Sequence, residues 1–269
     1  MAENFKPMFW SKYCQTELKK DLIMGNWCDY KFEGEIKYGK RLKIVGAVRP
    51  TIVNYNKKTP LNPEDLGDNS QYLDITEQKA FSFLVDDIDE AQSQEGYLET
   101  QFDEAKEALA EDAEKFVGTL AKNALTSMKS SSTAVTKDNS LDIIDEGHIK
   151  LYNNGVSQKT PLAADMCAKH IVCTRRALNS LFTDNVENVK NGAVGKYGNT
   201  FLRLATCLYN DGTDFYEMIR TKKAIAFASQ INKIKHSDNT YGFGDIIKGL
   251  HVYGGKVVRP KELYVALVH

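Results

Sequence analysis

The stretch from Gly34 to Val85 constrains the fold most, because it is patterned like extended strands yet has too few apolar residues to close a core of its own. It shows no helical period, and the alternation at Leu42 and Ile44, and again at Ile52, predicts strands with one solvent-facing side. A two-stranded excursion of this kind is only marginally stable in water. We therefore expect a surface outside the subunit to stabilise it. The alternative is a strand pair packed on the rest of the same domain.

The excursion has a polar tip and a returning arm. The tip, Asn54 to Asn69, holds Lys57 and Lys58 together with proline and glycine, which favour turns. Strands are predicted on the return at Gln71 to Ile75 and at Ala80 to Val85.

An amphipathic helix is predicted ahead of the excursion, from about Phe9 to Met24. Trp10, Tyr13 and Leu18 recur at helical spacing, with Lys and Glu between them. Gly25 and the asparagine that follows it are expected to end this helix.

The strongest helix signal comes after the excursion, from Tyr97 to Met128. The segment has no proline, one internal glycine and many strong helix formers. Its apolar residues fall mostly three, four or seven apart: Phe102, Ala105, Leu109, Phe116, Leu120 and Ala124. The stripe is narrow, so we expect a helix about 45 Å long that lies across a surface as the spine of a flat domain.

The second half of the chain mixes helix and strand signals, with no internal repeat and no regular strand-helix-strand alternation, so the predicted class is α+β. Lys129 to Lys137 predicts a flexible connection, followed by a short strand at His170 to Cys173 and a helix at Arg175 to Phe182. Further strands are predicted at Phe201 to Leu208, Tyr216 to Ile219, Ala224 to Ala228, Leu250 to Tyr253 and Lys256 to Val258. Turns are expected at Gly192, Gly195, Gly198, Gly212, Gly242, Gly244, Gly254 and Gly255.

Charge and cysteine usage exclude several classes of protein. The chain has 35 Lys and Arg against 36 Asp and Glu, which argues against a dedicated nucleic-acid binder with a concentrated basic surface. No apolar run is long enough to span a membrane as a helix. The cysteines are scattered, without a close pair, so neither a disulfide framework nor a zinc site is predicted: Cys14, Cys28, Cys167, Cys173 and Cys207.

One acidic cluster precedes the long helix and allows two interpretations. Asp86, Asp87, Asp89 and Glu90 could bind a hard cation such as calcium or magnesium, and a metal-dependent enzyme is the remote alternative that follows. The cluster lacks the spacing of a calcium loop, however, and acidic residues are favoured ahead of a helix by its dipole. We therefore favour a capping or hinge role and predict no metal site.

No catalytic or cofactor-binding residue is predicted elsewhere. The glycines around Lys196, and Gly254-Gly255-Lys256, miss the spacing of a phosphate-binding loop. His170 lies near Cys167 and Cys173, but no nucleophile elbow accompanies them. The chain is therefore predicted not to be an enzyme.

Six segments, taken in order, resemble those of a known protein family. They are Trp10 to Lys12, Phe32 to Gly39, Tyr55 to Leu66, Asp74 to Thr76, Phe81 to Asp89 and Gly249 to Pro260. Together they resemble the major capsid, or coat, proteins of tailed bacteriophages, which share the Hong Kong 97-type shell fold. The resemblance is strongest over Trp10 to Asn123 and Ala224 to Leu267.

The resemblance implies a division of the chain into four parts. These are an N-terminal arm at 1–31, an extended β-hairpin loop at 32–85, a peripheral domain at 86–150 and 222–257 with its spine helix at 97–128, and an axial domain at 151–221 and 258–269. In this family the extended loop lies over a neighbouring subunit, and the loops of the axial domain meet around the five-fold and six-fold axes.

The function implied by the resemblance is self-assembly, as hexamers and pentamers, into the icosahedral head shell around double-stranded DNA. The protein would then be found in the virion, after assembly in the host bacterial cytoplasm. Expected partners are further copies of the chain, a portal, and the packaged DNA by non-specific contact, with no membrane. Because the Trp-Ser-Lys helix starts close to Met1, we expect a separate scaffolding protein, or none.

Contacts between subunits are expected in the arm, at the loop tip and at the entry to the long helix. The candidate residues are Trp10, Lys57, Lys58, Glu64, Asp65, Asp86, Asp87 and Asp89. Some relatives cross-link lysine to asparagine, and Lys57 or Lys58 are conceivable donors, although no motif match supports the transfer. An encapsulin-like nanocompartment shell of the same fold is the alternative function.

Overall fold

The computed structural model describes residues 22–31, 41–44, 52, 70–85, 97–178, 193–239, 242 and 244–269. Its strands are β1 Arg41–Ile44, β2 Gln71–Asp74, β3 Glu77–Val85, β4 Leu162–Met166, β5 Ala193–Tyr197, β6 Thr200–Leu204, β7 Phe215–Thr221, β8 Ile225–Asp238, β9 Asp245–Val257 and β10 Leu263–Val268. Its α-helices are α1 Tyr97–Thr119, α2 Ser140–Asn153 and α3 Ala168–Leu178. Short 3-10 turns occupy Gly25–Trp27, Leu120–Asn123, Thr126–Met128 and Pro260–Glu262. The predicted α+β class is confirmed.

Helix α1 packs across an antiparallel sheet of β3, β9 and β8, with β9 in the centre. Phe81 of β3 meets Phe102 of α1 edge-on, with 5.9 Å between the ring centroids. Phe116 of α1 meets Tyr253 of β9 in the same way at 5.3 Å. Aromatic pairs of this geometry contribute about 0.5–1.5 kcal/mol beyond the area they bury, so they help to fix the helix on the sheet.

The apolar stripe predicted for α1 is present, but the helix is shorter than expected. Leu109 and Leu120 are buried as predicted, yet the α-helix ends at Thr119 and spans 23 residues, so its extension to Met128 is wrong. A 3-10 turn follows, and Ala124 then takes an extended backbone with ψ of 147°. Because Leu120, Ala124 and Met128 are all buried, packing bends the chain inward where helix propensity alone would continue it.

A second sheet has five strands in the order β10-β7-β4-β6-β5. Only β4 and β6 are parallel, and α3 lies in the connection between them. Helix α2, which the sequence analysis did not predict, packs on β10. A Cβ added at Gly147 of α2 would come within 2.8 Å of the Tyr264 ring, so this close approach requires glycine.

The connection at Lys129–Lys137 was expected to be flexible, and this prediction is wrong. Ser130 N–H donates to the carbonyl oxygen of Val265 at 3.0 Å, and Thr133 N–H donates to that of Leu267 at 3.0 Å. The segment therefore follows the outer edge of β10 and satisfies backbone groups that an edge strand would otherwise leave unpaired.

The strand predicted at His170–Cys173 is also wrong, because these residues belong to α3. The run Ile-Val-Cys suits a strand and a buried helix equally well. In the structure the strand is β4, just before it, and the buried residues of α3 recur at helical spacing: His170, Ile171, Thr174 and Leu178. Of the helix predicted at Arg175–Phe182, the part up to Leu178 is confirmed and the remainder lies outside the described residues.

The glycines at 254 and 255 do not form a turn, since both lie within β9. A Cβ at Gly254 would stand 2.5 Å from the carbonyl oxygen of Asp74 and 2.8 Å from Cα of Ile75. Glycine is thus required where the end of β2 passes over β9. Gly198 is confirmed in the tight turn between β5 and β6, with a positive φ of 57°.

Strands β1 and β2 pair antiparallel, and together with Ile75 they form what we call the hairpin base. Its buried residues, Leu42, Ile44, Leu73 and Ile75, pack against Ala226, Ala228 and Val252 of β8 and β9. The hairpin base therefore gains its core from the same chain. This outcome agrees with the alternative prediction of a strand pair packed on the rest of the same domain. Residues 80–85, expected in the excursion, pair instead with β9. The four-part division of the chain stays a prediction.

Candidate functional site

The candidate contact residues chosen from the sequence lie outside the described residues. This holds for Trp10, Lys57, Lys58, Glu64, Asp65, Asp86, Asp87 and Asp89, and also for Glu90 of the acidic cluster. The helix predicted at Phe9 to Met24 lies outside them up to residue 21. These predictions stay untested, so the site must be sought among the other residues.

The described part of the chain bears on three features considered from the sequence: a metal site, a membrane span and a phosphate-binding loop. Among those residues no group of three or more His, Cys, Asp or Glu side chains is arranged to hold a metal ion. None of the described helices is both long enough and apolar enough to cross a membrane. Lys196 lies in the β5–β6 hairpin and Lys256 within β9, so neither belongs to a loop that opens a helix, as phosphate cradles do.

A buried cysteine, histidine and carboxylate do come together at the start of α3. Nδ1 of His170 lies 2.5 Å from Oε2 of Glu217, and Nε2 lies 2.9 Å from the carbonyl oxygen of Ser140. Both ring nitrogens thus face oxygen atoms, an arrangement that favours the protonated imidazole. Burial lowers the pKa of His170, but the Glu217 carboxylate more than offsets this and raises it.

The neighbouring thiol is not a nucleophile in this arrangement. Burial, with the nearby Glu217 carboxylate, raises the pKa of Cys167 to about 12, whereas reactive cysteines need a lowered value. The Cys167 N–H also donates to Oε1 of Glu217 at 2.8 Å. The cluster is therefore a buried ion pair that fixes α3 to β7.

A serine, a histidine and an aspartate also meet near the C-terminus, without the geometry of a catalytic triad. Ser132 Oγ donates to Oδ1 of Asp214 at 2.7 Å, and the same oxygen lies 3.2 Å from Nδ1 of His269. Ser132 Oγ lies 3.3 Å from that same Nδ1. A triad needs the serine and the carboxylate on opposite ring nitrogens, and this group lacks that geometry.

Another buried polar cluster lies between the two sheets and begins with three charged residues on adjacent strands. Asp165 of β4 pairs with Arg203 of β6 through one oxygen and with Arg220 of β7 through the other, the latter at 3.2 Å. Arg220 and Asp165 are fully buried and Arg203 is 2% exposed. One carboxylate shared by two buried guanidiniums leaves several N–H donors that need other partners.

Those donors bind the backbone of residues 22–29, near the start of the described chain. Arg203 Nη1 donates to the carbonyl oxygen of Ile23 at 2.6 Å. Arg220 donates from Nη1 to the carbonyl oxygen of Trp27 at 2.5 Å and from Nη2 to that of Met24 at 2.7 Å. The two arginines thus fix this segment to the five-stranded sheet.

Glu114 fixes the same segment to α1. Its carboxylate accepts hydrogen bonds from the N–H groups of Met24, at 2.9 Å, and Gly25, at 2.8 Å, one on each oxygen. Burial raises the pKa of Glu114, and the two backbone donors act against that rise. A cleft of about 670 Å³ opens beside Glu114. The two lysines that line the cleft pair with acidic residues of α1, so the cleft is a charged surface feature.

A third attachment joins the segment to the other sheet. Asp29 N–H donates to the carbonyl oxygen of Ile225 at 2.9 Å, and Phe227 N–H donates to that of Asp29 at 3.2 Å. We call residues 22–29 with Glu114, Asp165, Arg203 and Arg220 the junction. The junction joins both sheets and α1 around one short segment, so it fixes their relative positions.

Sequence reasoning missed the junction, although one signal was available. Arg203 follows Leu202 and precedes Leu204, and Arg220 follows Met218 and Ile219, so each arginine lies beside large apolar residues of its strand. A charged residue in such a strand indicates a buried, partnered charge. The identity of the partners, up to 196 positions away in the chain, had no local signal.

Comparison with known proteins gives matches to solved structures alone, since no family model and no curated protein matches the sequence. A structure from Mycobacterium phage Che8 is 24% identical, with a TM-score of 0.70 over 91% of this chain and 90% of that one. The capsid of cyanophage P-SCSP1u is 14% identical, with a TM-score of 0.68 over 87% and 85% of the two chains. A virus-like particle from Pyrococcus furiosus is 12% identical, with a TM-score of 0.56 over 96% and 97%. The fold of this chain is therefore that of phage capsid proteins, the Hong Kong 97-type shell fold.

Proposed function

We propose that this chain is the major capsid protein of a tailed bacteriophage. Many copies assemble, as hexamers and pentamers, into the icosahedral head shell that encloses double-stranded DNA. The observation that carries the proposal is the match to the Che8 structure over about nine-tenths of both chains. The shell fold thus accounts for nearly the whole sequence, and the role proposed is structural, without catalysis or a cofactor.

The junction supports this proposal through the rigidity it provides. A shell subunit must transmit force between contacts at opposite ends of a thin plate. Buried charges that are paired hold their elements in one arrangement, because breaking a single pair is strongly unfavourable. The junction joins both sheets and α1 through a set of such groups, so each copy presents its contact surfaces in a fixed geometry.

The near-neutral charge supports containment of DNA. The formal net charge is -1, whereas a protein that grips DNA tightly neutralises many phosphates with clustered lysine and arginine. DNA that is driven into a shell must slide along the wall. A lining without a concentrated basic surface permits that movement, and the proposed contact with DNA is non-specific.

The experiment is expression of this chain in bacteria, followed by sedimentation velocity and negative-stain electron microscopy. We expect closed shells, sheets or capsomers, formed alone or on co-expression of a separate scaffolding protein. A stable monomer at every concentration, with and without such a protein, would overturn the proposal. Particles isolated from cells that hold a cargo enzyme in place of DNA would favour the nanocompartment alternative.

A further inference from the structure

Two turns bring four exposed basic side chains together at one corner of the subunit. Lys222 and Lys223 form the tip of the tight turn between β7 and β8. Arg259 and Lys261 lie in the connection between β9 and β10. The two turns are joined directly, because the backbone N–H of Arg259 donates to the carbonyl oxygen of Ala224 at 3.1 Å. We call Lys222, Lys223, Arg259 and Lys261 the basic corner.

The basic corner carries an excess of positive charge. Glu262 lies in the same turn as Arg259 and already accepts a hydrogen bond from that guanidinium at 2.8 Å. Among the described residues, no carboxylate lies within ion-pair distance of the three lysines of the basic corner. The described part of the subunit therefore leaves these lysines without a counter-charge.

The N-terminal half of α1 carries the opposite charge. Asp103, Glu104 and Glu107 are exposed there, and we call them the acidic face. Lys106 pairs with Asp103 at 3.4 Å, but no described cation lies within ion-pair distance of Glu104 or Glu107. The helix dipole favours acidic residues only in the first turn, which these residues follow. Like charges three or four residues apart destabilise a helix, so the acidic face gains from a positively charged partner.

The two surfaces are also complementary in shape. The cleft of about 670 Å³ beside α1 is lined by Asp103 and Glu107 of the acidic face, so this surface is concave. The basic corner projects instead, since two of its lysines occupy the tip of a tight turn. A projecting turn with two lysines suits an acidic cleft both in form and in charge.

The two surfaces cannot meet within one subunit. Phe102 of α1 contacts Phe81, whose ring lies over Gly249 of β9. At the other end of β9, Val257 pairs with Ile225, beside the basic corner. The strand from Gly249 to Val257 spans about 25 Å, which is far more than a lysine and a glutamate side chain can bridge. The partner of each surface must therefore come from another molecule.

We infer that the basic corner of one copy of this chain docks on the acidic face of α1 in the next copy. This contact rests on the proposed function and names two surfaces that hold shell subunits together. The surfaces differ and lie apart, so the contact is head-to-tail, which generates a ring where the rotation closes. DNA would attract the lysines too, but it would leave the acidic face without a partner, whereas a second copy satisfies both. Complementary charge also fixes register and speeds association.

Carbodiimide cross-linking of wild-type shells tests the contact directly. The reagent converts a lysine amine and a touching carboxylate into an amide, without a spacer. In empty shells, we expect mass spectrometry to identify peptides that join Lys222 or Lys223 to Glu104 or Glu107. Subunits released from the shells should lack these peptides, because the groups are too far apart within one chain. Their absence from the shells, or their presence in released subunits, would overturn the inference.

Charge exchange at the same positions provides an independent test. Lys222→Glu combined with Lys223→Glu should lower the yield of shells by at least about tenfold, and so should Glu104→Lys combined with Glu107→Lys. The variant with all four substitutions restores the attraction and keeps the wild-type net charge, so shells should form again. Normal assembly of either double variant would contradict the docking. So would a lack of recovery in the fourfold variant when its subunits melt like the wild type.

The two proposals fail in distinguishable ways. Wild-type shells without these cross-links would overturn the docking and leave the proposed shell function standing. The absence of any ordered assembly would overturn both. Protection of Lys222 and Lys223 from acetylation in DNA-filled particles, but not in empty shells, would assign the basic corner to DNA and overturn the docking. If a double variant misfolds, cross-linking of the wild type decides the question.

Discussion

Arg220 donates a hydrogen bond from Nη2 to the carbonyl oxygen of Met24 at 2.7 Å, across 196 positions of sequence and in a fully buried site. The same guanidinium binds Asp165 and the carbonyl oxygen of Trp27. A short N-terminal segment is thereby fixed to the five-stranded sheet by charge-assisted hydrogen bonds, which are stronger than neutral ones.

Replacing this guanidinium by an apolar side chain should strongly destabilise the subunit. In Arg220→Met, two carbonyl oxygens and one carboxylate oxygen of Asp165 lose their donors. Because these groups stay buried, we expect the free energy of unfolding to fall by about 3–5 kcal/mol. Urea denaturation followed by circular dichroism measures the change. Arg259→Met is the control, because that arginine pairs at the exposed surface with Glu262, and a loss of no more than about 0.5 kcal/mol is expected there. Equal losses in the two variants would contradict a special role for the junction.

Glu114 should control the local stability of the segment that it binds. Glu114→Gln leaves one carbonyl oxygen for two backbone donors, at a cost of about 1–3 kcal/mol. The expected result is faster hydrogen exchange at the amides of Met24 and Gly25, whose N–H groups donate to Glu114. Glu111→Gln, an exposed position nearby on α1, should leave those amides unchanged. Unaltered exchange in Glu114→Gln would show that the segment is held without this carboxylate.

Gly254 should be intolerant of any side chain. A Cβ there would stand 2.5 Å from the carbonyl oxygen of Asp74, so Gly254→Ala must displace the hairpin base and should destabilise by about 1–3 kcal/mol. Thermal melting of Gly254→Ala is compared with that of Gly242→Ala, where the nearest atom is the end of the half-buried Asn239 side chain at 3.2 Å. Similar melting temperatures for the two variants would mean that the hairpin base does not pack as described.

His251 should make the subunit less stable in mild acid. Burial lowers its pKa to about 4, and its Nδ1 has no hydrogen-bond partner. Below pH about 6.5 the unfolded chain takes up a proton that the folded chain does not accept until pH about 4, so stability falls across this range by up to about 3 kcal/mol.

The measurement for His251 is denaturant unfolding between pH 7 and 4 in wild type and in His251→Gln. The variant should lose this part of the pH dependence. His269→Gln, at the exposed chain end, should retain it. His170 acts in the opposite direction, because its pKa is raised, but it contributes equally to all three proteins and cancels in the comparison. Parallel pH profiles for wild type and His251→Gln would contradict the prediction.

Local patterns predicted the elements whose burial follows a simple period. Alternation at Leu42 and Ile44 placed β1 with its buried face correctly, and the stripe containing Leu109 identified α1. Where the apolar run was short, as at Ile171, strand and helix could not be distinguished from sequence. The end of α1 was missed because burial of Ala124 redirects the chain, and residue propensity does not contain that information.

The junction could not be predicted, because its chemistry depends on distant residues. Arg203 and Arg220 are recognisable as charges beside apolar strand residues, but apart from Asp165 their partners are backbone groups of the segment 22–29 that carry no sequence signature.

The most direct test of the account is cryo-electron microscopy of particles assembled from this chain, with a scaffolding protein if one is needed. The account predicts a closed icosahedral shell of hexamers and pentamers. In each subunit α1 should pack across the three-stranded sheet, and residues 22–29 should lie in the junction. Particles without icosahedral order, or subunits in which the junction residues are separated and exposed, would contradict it.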